Sequence, residues 1–204
     1  MWCGCAFDVR VLDLSLGTFK RRLMGIGVGV IAEKFVEEWL HRDHFFTVRG
    51  LSAGVREIDL LALRNRGNGI ETLHIEVSVS ANPVGYMTPL TPEAAAELGA
   101  NGLGAAIARP PHIVQKCAQA WVEKKFHHPV ISARRNDFAP HSQWQMVFVH
   151  GVLNHPEELD HIRHCGIETI HISAIINNLR NPVNGISTSG EVKDIMRMMQ
   201  LLEQ

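Results

Sequence analysis

The sequence predicts an α/β fold with a central mixed β-sheet flanked by helices, and three observations carry that prediction. Val28, Ile31, Ala32, Phe35, Val36, Trp39 and Leu40 recur at helical spacing, which makes 28–40 a helix with one buried face. Leu73, Ile75, Val77 and Val79 alternate with His74, Glu76, Ser78 and Ser80, the period of two of a strand with unlike faces. Between 144 and 172 an apolar run, a polar helical stretch and a second apolar run give the order β-α-β, which requires a parallel, right-handed crossover. The 204 residues, 46% hydrophobic and 20% charged, suffice for a single domain over 1–204 with a sizeable core, and exclude disordered, collagenous and coiled-coil chains.

In chain order, 1–20 carries a loose alternation (Phe7, Val9, Val11) that predicts an N-terminal arm or an edge strand. Gly25, Gly27 and Gly29 alternate with no strand before them, and so mark the start of the helix rather than a dinucleotide loop. Residues 45–48 predict a short strand, 52–54 a turn and 55–63 a second strand. The Arg- and Gly-rich turn 64–69 then leads into 73–79, closing an antiparallel hairpin. Segment 81–111 is a long insertion punctuated by prolines, with a short helix at 92–98, the pattern of a binding loop or lid. A helix at 113–126 ends before His127-His128-Pro129. Residues 144–149 predict a strand covered on both faces, 156–164 a helix stopped at Cys165-Gly166, and 167–172 another strand. The C-terminal 173–204 predicts helices at 174–179 and 191–202 around a polar turn at Asn184-Gly185.

Lysine plus arginine number 20 against 21 acids, so the net charge of −1 excludes a global basic field and leaves only local patches for a polyanion. Protonating all 12 histidines would carry that charge to +11, so acidification changes the surface sharply. Cys3, Cys5, Cys117 and Cys165 lack metal-ligand spacing. With no apolar run long enough to span a bilayer and no leader pattern, the expected setting is reduced and cytoplasmic, without membrane contact. His41 with His44, His127 with His128, and His161 with His164 lack a third ligand and read as solvated. The pair Arg134-Arg135 and the turn from Arg64 to Arg66 are small basic spots within reach of phosphates, though ordinary solvation also explains them.

Three carboxylates on three successive elements carry the chemistry. Glu33 borders the apolar face of the first helix, Asp59 interrupts the apolar strand Ile58-Asp59-Leu60-Leu61-Ala62-Leu63, and Glu76 interrupts 73–79. A carboxylate inside an apolar strand has to be paired, hydrogen-bonded or metal-bound, because an isolated buried charge costs several kcal/mol. Mg²⁺ prefers a few carboxylate oxygens plus water and substrate phosphate, which such a cluster offers.

This order resembles the PD-(D/E)XK restriction-endonuclease-like superfamily: a helix with Glu33, then Gly54-Val55-Arg56-Glu57-Ile58-Asp59, then Ile75-Glu76-Val77-Ser78, then a helix and a β-α-β tail. The likeness is close over 25–80 and holds as an order of elements over 113–172. It implies a restriction-endonuclease-like mixed sheet, divalent-metal-dependent hydrolysis of DNA, and Mg²⁺ or Mn²⁺ held by Asp59 and Glu76 with Glu33 and the Val77 carbonyl. DNA is the implied partner, and a homodimer stays open. Where the superfamily has lysine two residues after its glutamate, this chain has Ser78, which donates a hydrogen bond but brings no charge. Either a lysine from elsewhere reaches the site, Lys116 being the best candidate and Lys34 a weaker one, or the fold survives as a catalytically impaired module binding nucleic acid or protein. An α/β-hydrolase is disfavoured because no Gly-x-Ser-x-Gly elbow occurs.

Overall fold

A computed structural model describes residues 27–67, 69–180 and 189–202, so the expected N-terminal arm and the turn at Asn184-Gly185 lie outside the described residues. Five strands form one mixed sheet in the order β1-β2-β3-β4-β5: β1 (Phe46–Ala53), β2 (Arg56–Asn65), β3 (Ile70–Ser78), β4 (Trp144–His150) and β5 (Glu168–His171). The first three make an antiparallel meander, whereas β4 runs parallel to β3 and β5 parallel to β4.

Helices cover both faces. On one lie α1 (Val28–Arg42), α6 (Ile172–Arg180) and α7 (Gly190–Leu202). Phe35, Val36 and Leu40 of α1 and Ile175 and Leu179 of α6 pack there on Leu60, Ala62, Ile75, Val147 and Val149 of the sheet. The opposite face carries α3 (Pro111–Val122), α4 (Pro129–Phe138) and α5 (Glu157–His164), packed through Trp121, Phe126, Phe148, Leu159 and Ile162, and through Ile131 on Ile58 and Leu61. Burial of β4 on both sides accounts for its unbroken apolar run.

Two segments differ from the sequence reading. The turn expected at 52–54 is shorter: Ser52 pairs with Glu57 and Ala53 with Arg56, so only Gly54-Val55 connects the strands, and Gly54 takes the φ of +65° that the tight connection needs. Helix α4 was not expected at all. Its buried face consists of Ile131 and Arg135, too little apolar surface to give a periodic signal.

The insertion after β3 contains α2 (Pro92–Leu98) as expected, with Thr91 as N-cap accepting from the Ala94 N–H at 3.1 Å. It is pinned to α5 by Glu158, which is fully buried. That carboxylate accepts from the backbone N–H of Met87 at 2.6 Å, from the N–H of Thr88 at 2.9 Å, and from the Thr88 hydroxyl. Arg64, expected as a surface basic spot, is likewise buried. It bonds Glu71 at 2.6 Å and Asp43 at 2.5 Å, with its guanidinium 4.1 Å over the Phe45 ring.

Replacing Glu158 with alanine strands the buried N–H groups of Met87 and Thr88, and is expected to lower the unfolding free energy by about 3 kcal/mol or more. The same change should open 81–110 to limited proteolysis. Urea denaturation and protease mapping check both, with Glu158→Gln, which retains one acceptor oxygen, falling between alanine and wild type.

Candidate active site

The site forms where β2 and β3 part. Their ladder ends at Leu60↔Ile75, and continuing that register sets Asp59 opposite Glu76 on one sheet face. On its other side Asp59 stands opposite Gly50, a position the β1–β2 ladder skips between Arg49↔Leu60 and Leu51↔Ile58. Gly50 has φ of +65°, and a Cβ there would sit 3.1 Å from Glu57 Oε1. Alternation breaks at this point: Ile58 packs with Leu61 beneath α4, whereas Leu60 faces α1. Such a kink re-aims a side chain, and Asp59 Oδ2 accepts from the Val77 N–H at 2.8 Å.

Glu76 is buried, at 1% exposure, and both of its oxygens are engaged. Oε1 lies 3.0 Å from His74 Nε2, and Oε2 pairs with Lys125 Nζ. His74 in turn sets Nδ1 2.7 Å from Arg135 Nη1. A guanidinium can only donate, so Nδ1 accepts, and the proton of the neutral ring resides on Nε2, where it is donated to Glu76. Burial, with the charges of Arg135 and Lys125 beside it, holds the His74 pKa well below its ordinary value, consistent with that neutral form.

Lys125 comes from an unexpected place. Helix α3 continues into a π-helical turn, Glu123–His127, and Lys125 projects from it. Burial alone would lower its pKa, but the charge and hydrogen bond of Glu76, backed by Asp59 and Glu57, raise it on balance, so the ammonium form is held. Lys116, the lysine expected to fill the gap left by Ser78, does not do so. It is exposed on α3, outside the buried stripe of Ile113, Val114, Cys117 and Ala118, and its charge acts on Glu93. Ser78 closes β3 two residues beyond Glu76 and accepts through its backbone oxygen from the Gly151 N–H at 3.2 Å.

The acids crowd one another. Burial first, then the charge of Glu76, pushes Asp59 up to about 6. Glu76 is raised chiefly by burial, with Lys125 opposing. Glu33 is raised by burial and by Asp59, which places it within the field of the cluster. Its neighbours on α1 are used otherwise: Glu37 accepts from the Thr47 hydroxyl at 3.1 Å, and Glu38 from the Ser189 N–H at 3.0 Å. Glu57, quoted in the strand motif but not singled out as a site acid, contributes a fourth carboxylate whose charge acts on Glu33, Asp59, Glu76 and Lys125.

A solved structure similar to this chain, the crystal structure of a protein of unknown function, AF1548, is 18% identical. The match covers 83% of this chain and 77% of that one, at a TM-score of 0.38. No protein-family model and no curated protein matches the sequence.

Among the described residues no group of three or more histidine, cysteine or acidic side chains is arranged as a metal cage, and no helix is long and apolar enough to cross a membrane. Of the paired histidines of the sequence reading, His41, His128 and His164 have local partners. His41 Nε2 lies 2.7 Å from Thr47 Oγ1, and His164 Nδ1 2.5 Å from the Asp160 carbonyl. His74 and Lys125 were the residues sequence reasoning missed. The first had a signal in its period-two placement beside Glu76; the second had none beyond the demand of a buried acid for a cation.

Because folding raises the Asp59 pKa, ionisation favours the unfolded chain. Asp59 leaves stability untouched below about pH 4 and diminishes it as the pH rises through about 6. In chelator-treated protein, Asp59→Asn, which retains an oxygen for the Val77 N–H, is expected to exceed wild type in stability at pH 8 by about 1–3 kcal/mol, the two converging near pH 4. Equilibrium urea unfolding across that range checks the crossover.

Proposed function

We propose that this chain is a divalent-metal-dependent phosphodiesterase acting on DNA, built on a restriction-endonuclease-like sheet. The observation that carries the reading is the meeting of Asp59, Glu76 and Lys125 at the parting of β2 and β3, with a lysine present although the strand offers Ser78 in its place. The order of a helix, a three-stranded meander, the helices α2 to α4 and a parallel β-α-β tail supports it as well.

The donor set fits a hard cation. Asp59 and Glu76 are oxygen ligands whose charges, with those of Glu33 and Glu57, exceed what Lys125 alone compensates. An all-oxygen set of this kind suits Mg²⁺ or Mn²⁺, which take a few protein oxygens and complete their shells with water and substrate phosphate, better than zinc, which favours nitrogen and sulfur, or calcium, which favours a fuller cage. Asp59 and Glu76 would hold the ion, with Glu33 and the Val77 carbonyl as further donors. When bound, it supplies polarisation of the scissile phosphate and acidification of an attacking water. Lys125, with 37% of its side chain exposed, is the donor available to the charge that builds on the phosphoryl oxygens, and Glu76 keeps it charged. Glu33, the least buried of the three acids, would accept a proton or orient water. The setting this reading implies is the cytoplasm, with DNA as partner.

A second reading keeps the fold without the reaction: a nuclease-like module that binds nucleic acid or protein. Ser78 in the strand position of the superfamily's lysine is the observation in its favour.

Purified protein incubated with supercoiled and linear DNA and Mg²⁺ or Mn²⁺ is expected to cleave, and to stop on chelation. Asp59→Ala and Glu76→Ala should abolish turnover, and Lys125→Ala should lower kcat by about 100-fold or more. Lys116→Ala should leave it unchanged. Salt-dependent DNA binding without metal-dependent cleavage would replace the first reading with the second.

A further inference from the structure

A π-helical turn pairs i with i+5 and so leaves carbonyls outside the α ladder, which must find other donors. The Phe126 carbonyl lies in the turn that carries Lys125, and Arg135 Nη1 donates to it at 2.6 Å. The same nitrogen reaches His74 Nδ1 at 2.7 Å, which engages both of its hydrogens. Ser132 Oγ accepts from Arg135 Nη2 at 3.3 Å, and the Phe126 ring packs 4.9 Å from the His74 ring. Arg135 is 6% exposed, so the phosphate contact considered for the Arg134-Arg135 pair does not apply to it. Arg134 bonds the Ser52 carbonyl instead, at 3.1 Å.

From these contacts we propose that Arg135 is the positioning residue of the Glu76–Lys125 pair: one guanidinium nitrogen fixes both the imidazole that aims Glu76 and the backbone turn that carries Lys125. Glu76 and Lys125 come from elements far apart in sequence, and a shared donor behind both ties their separation to a single rigid group. The part this plays in cleavage rests on the phosphodiesterase reading; the positioning itself does not.

Arg135→Met keeps the apolar stem and removes the donors. In ¹⁵N-labelled, metal-free protein His74 is expected to keep its Nε2–H, held by Glu76, in both forms, while its Nδ1 signal, displaced in wild type by the Arg135 hydrogen bond, returns in the variant to that of a free acceptor nitrogen. The Lys125 ammonium signal, shielded from solvent exchange by Glu76, should be lost in the variant. In the cleavage assay, with turnover expressed per folded molecule as counted by circular dichroism, kcat should fall about 10- to 100-fold while KM for DNA stays within about twofold, the pattern of an interaction made in the transition state rather than in DNA binding. His74→Leu cuts only the arm to Glu76 and serves if Arg135→Met fails to fold. It should lose the Lys125 signal and lower kcat, whereas His74→Gln, which offers an acceptor to Arg135 and a donor to Glu76, should restore both. An unchanged His74 Nδ1 signal or a surviving Lys125 signal in Arg135→Met, or a Lys125 signal that survives His74→Leu, overturns the positioning role. A wild type that cleaves nothing yet shows these spectral changes overturns the phosphodiesterase reading and leaves the positioning standing.

Discussion

The structure around the site follows from one constraint, the burial of the Glu76 carboxylate within the central sheet. At 1% exposure, an uncompensated charge there would cost several kcal/mol, comparable to much of a domain's net stability. Compensation comes from two directions, Lys125 on one oxygen and the His74 N–H on the other. Each compensating group then needs its own support. The lysine requires a helix that departs from α geometry, and the imidazole requires a donor behind it, which is why α4 buries an arginine where an ordinary helix would bury leucine.

Much of this was legible in the sequence, and the illegible part has a physical cause. Helix α1, the hairpin β2–β3 and the unit β4–α5–β5 announce themselves because each buries an apolar face at its own period. Asp59 and Glu76 were legible for the converse reason, as charges interrupting apolar strands, and the antiparallel register brings them together. Strand β1 beyond Val48 was obscured by Gly50, whose left-handed backbone breaks the alternation next to Asp59. Lys125 was illegible because residue spacing encodes a neighbour along a strand or a helix face, and a side chain delivered from an adjacent layer has no fixed offset. Lys116 could have been set aside from the sequence, since the buried stripe 113, 114, 117, 118 and 121 turns position 116 outward.

The electrostatic character of the site also differs from the first impression of a chain with 12 histidines and scattered arginines. Arg64 and Arg135, two of the residues in its basic spots, are buried and committed to internal partners. What gathers at the parting of β2 and β3 is acid: Asp59 and Glu76 beside Lys125, with the charge of Glu57 acting on all three and that of Asp59 reaching Glu33. Such a cluster repels a bare polyanion and attracts cations. Crowding of this kind costs the fold stability, as the raised Asp59 pKa records.

The π-helical turn gives the molecule an unusual sensitivity to length. In an α-helix each residue advances the side-chain direction by about 100°. Removing one residue from Glu123–His127 would allow α3 to close as an ordinary helix, with its apolar stripe still seated on the sheet, while swinging the lysine a quarter-turn or more away from Glu76. Single-residue insertions and deletions in this stretch therefore act on the site directly, and on the core through Phe126, which the same turn seats against His74 and Trp121. Homologous chains that differ by one residue there would differ in chemistry while sharing a fold, a distinction visible in the count of residues between α3 and Pro129 before any side chain is compared.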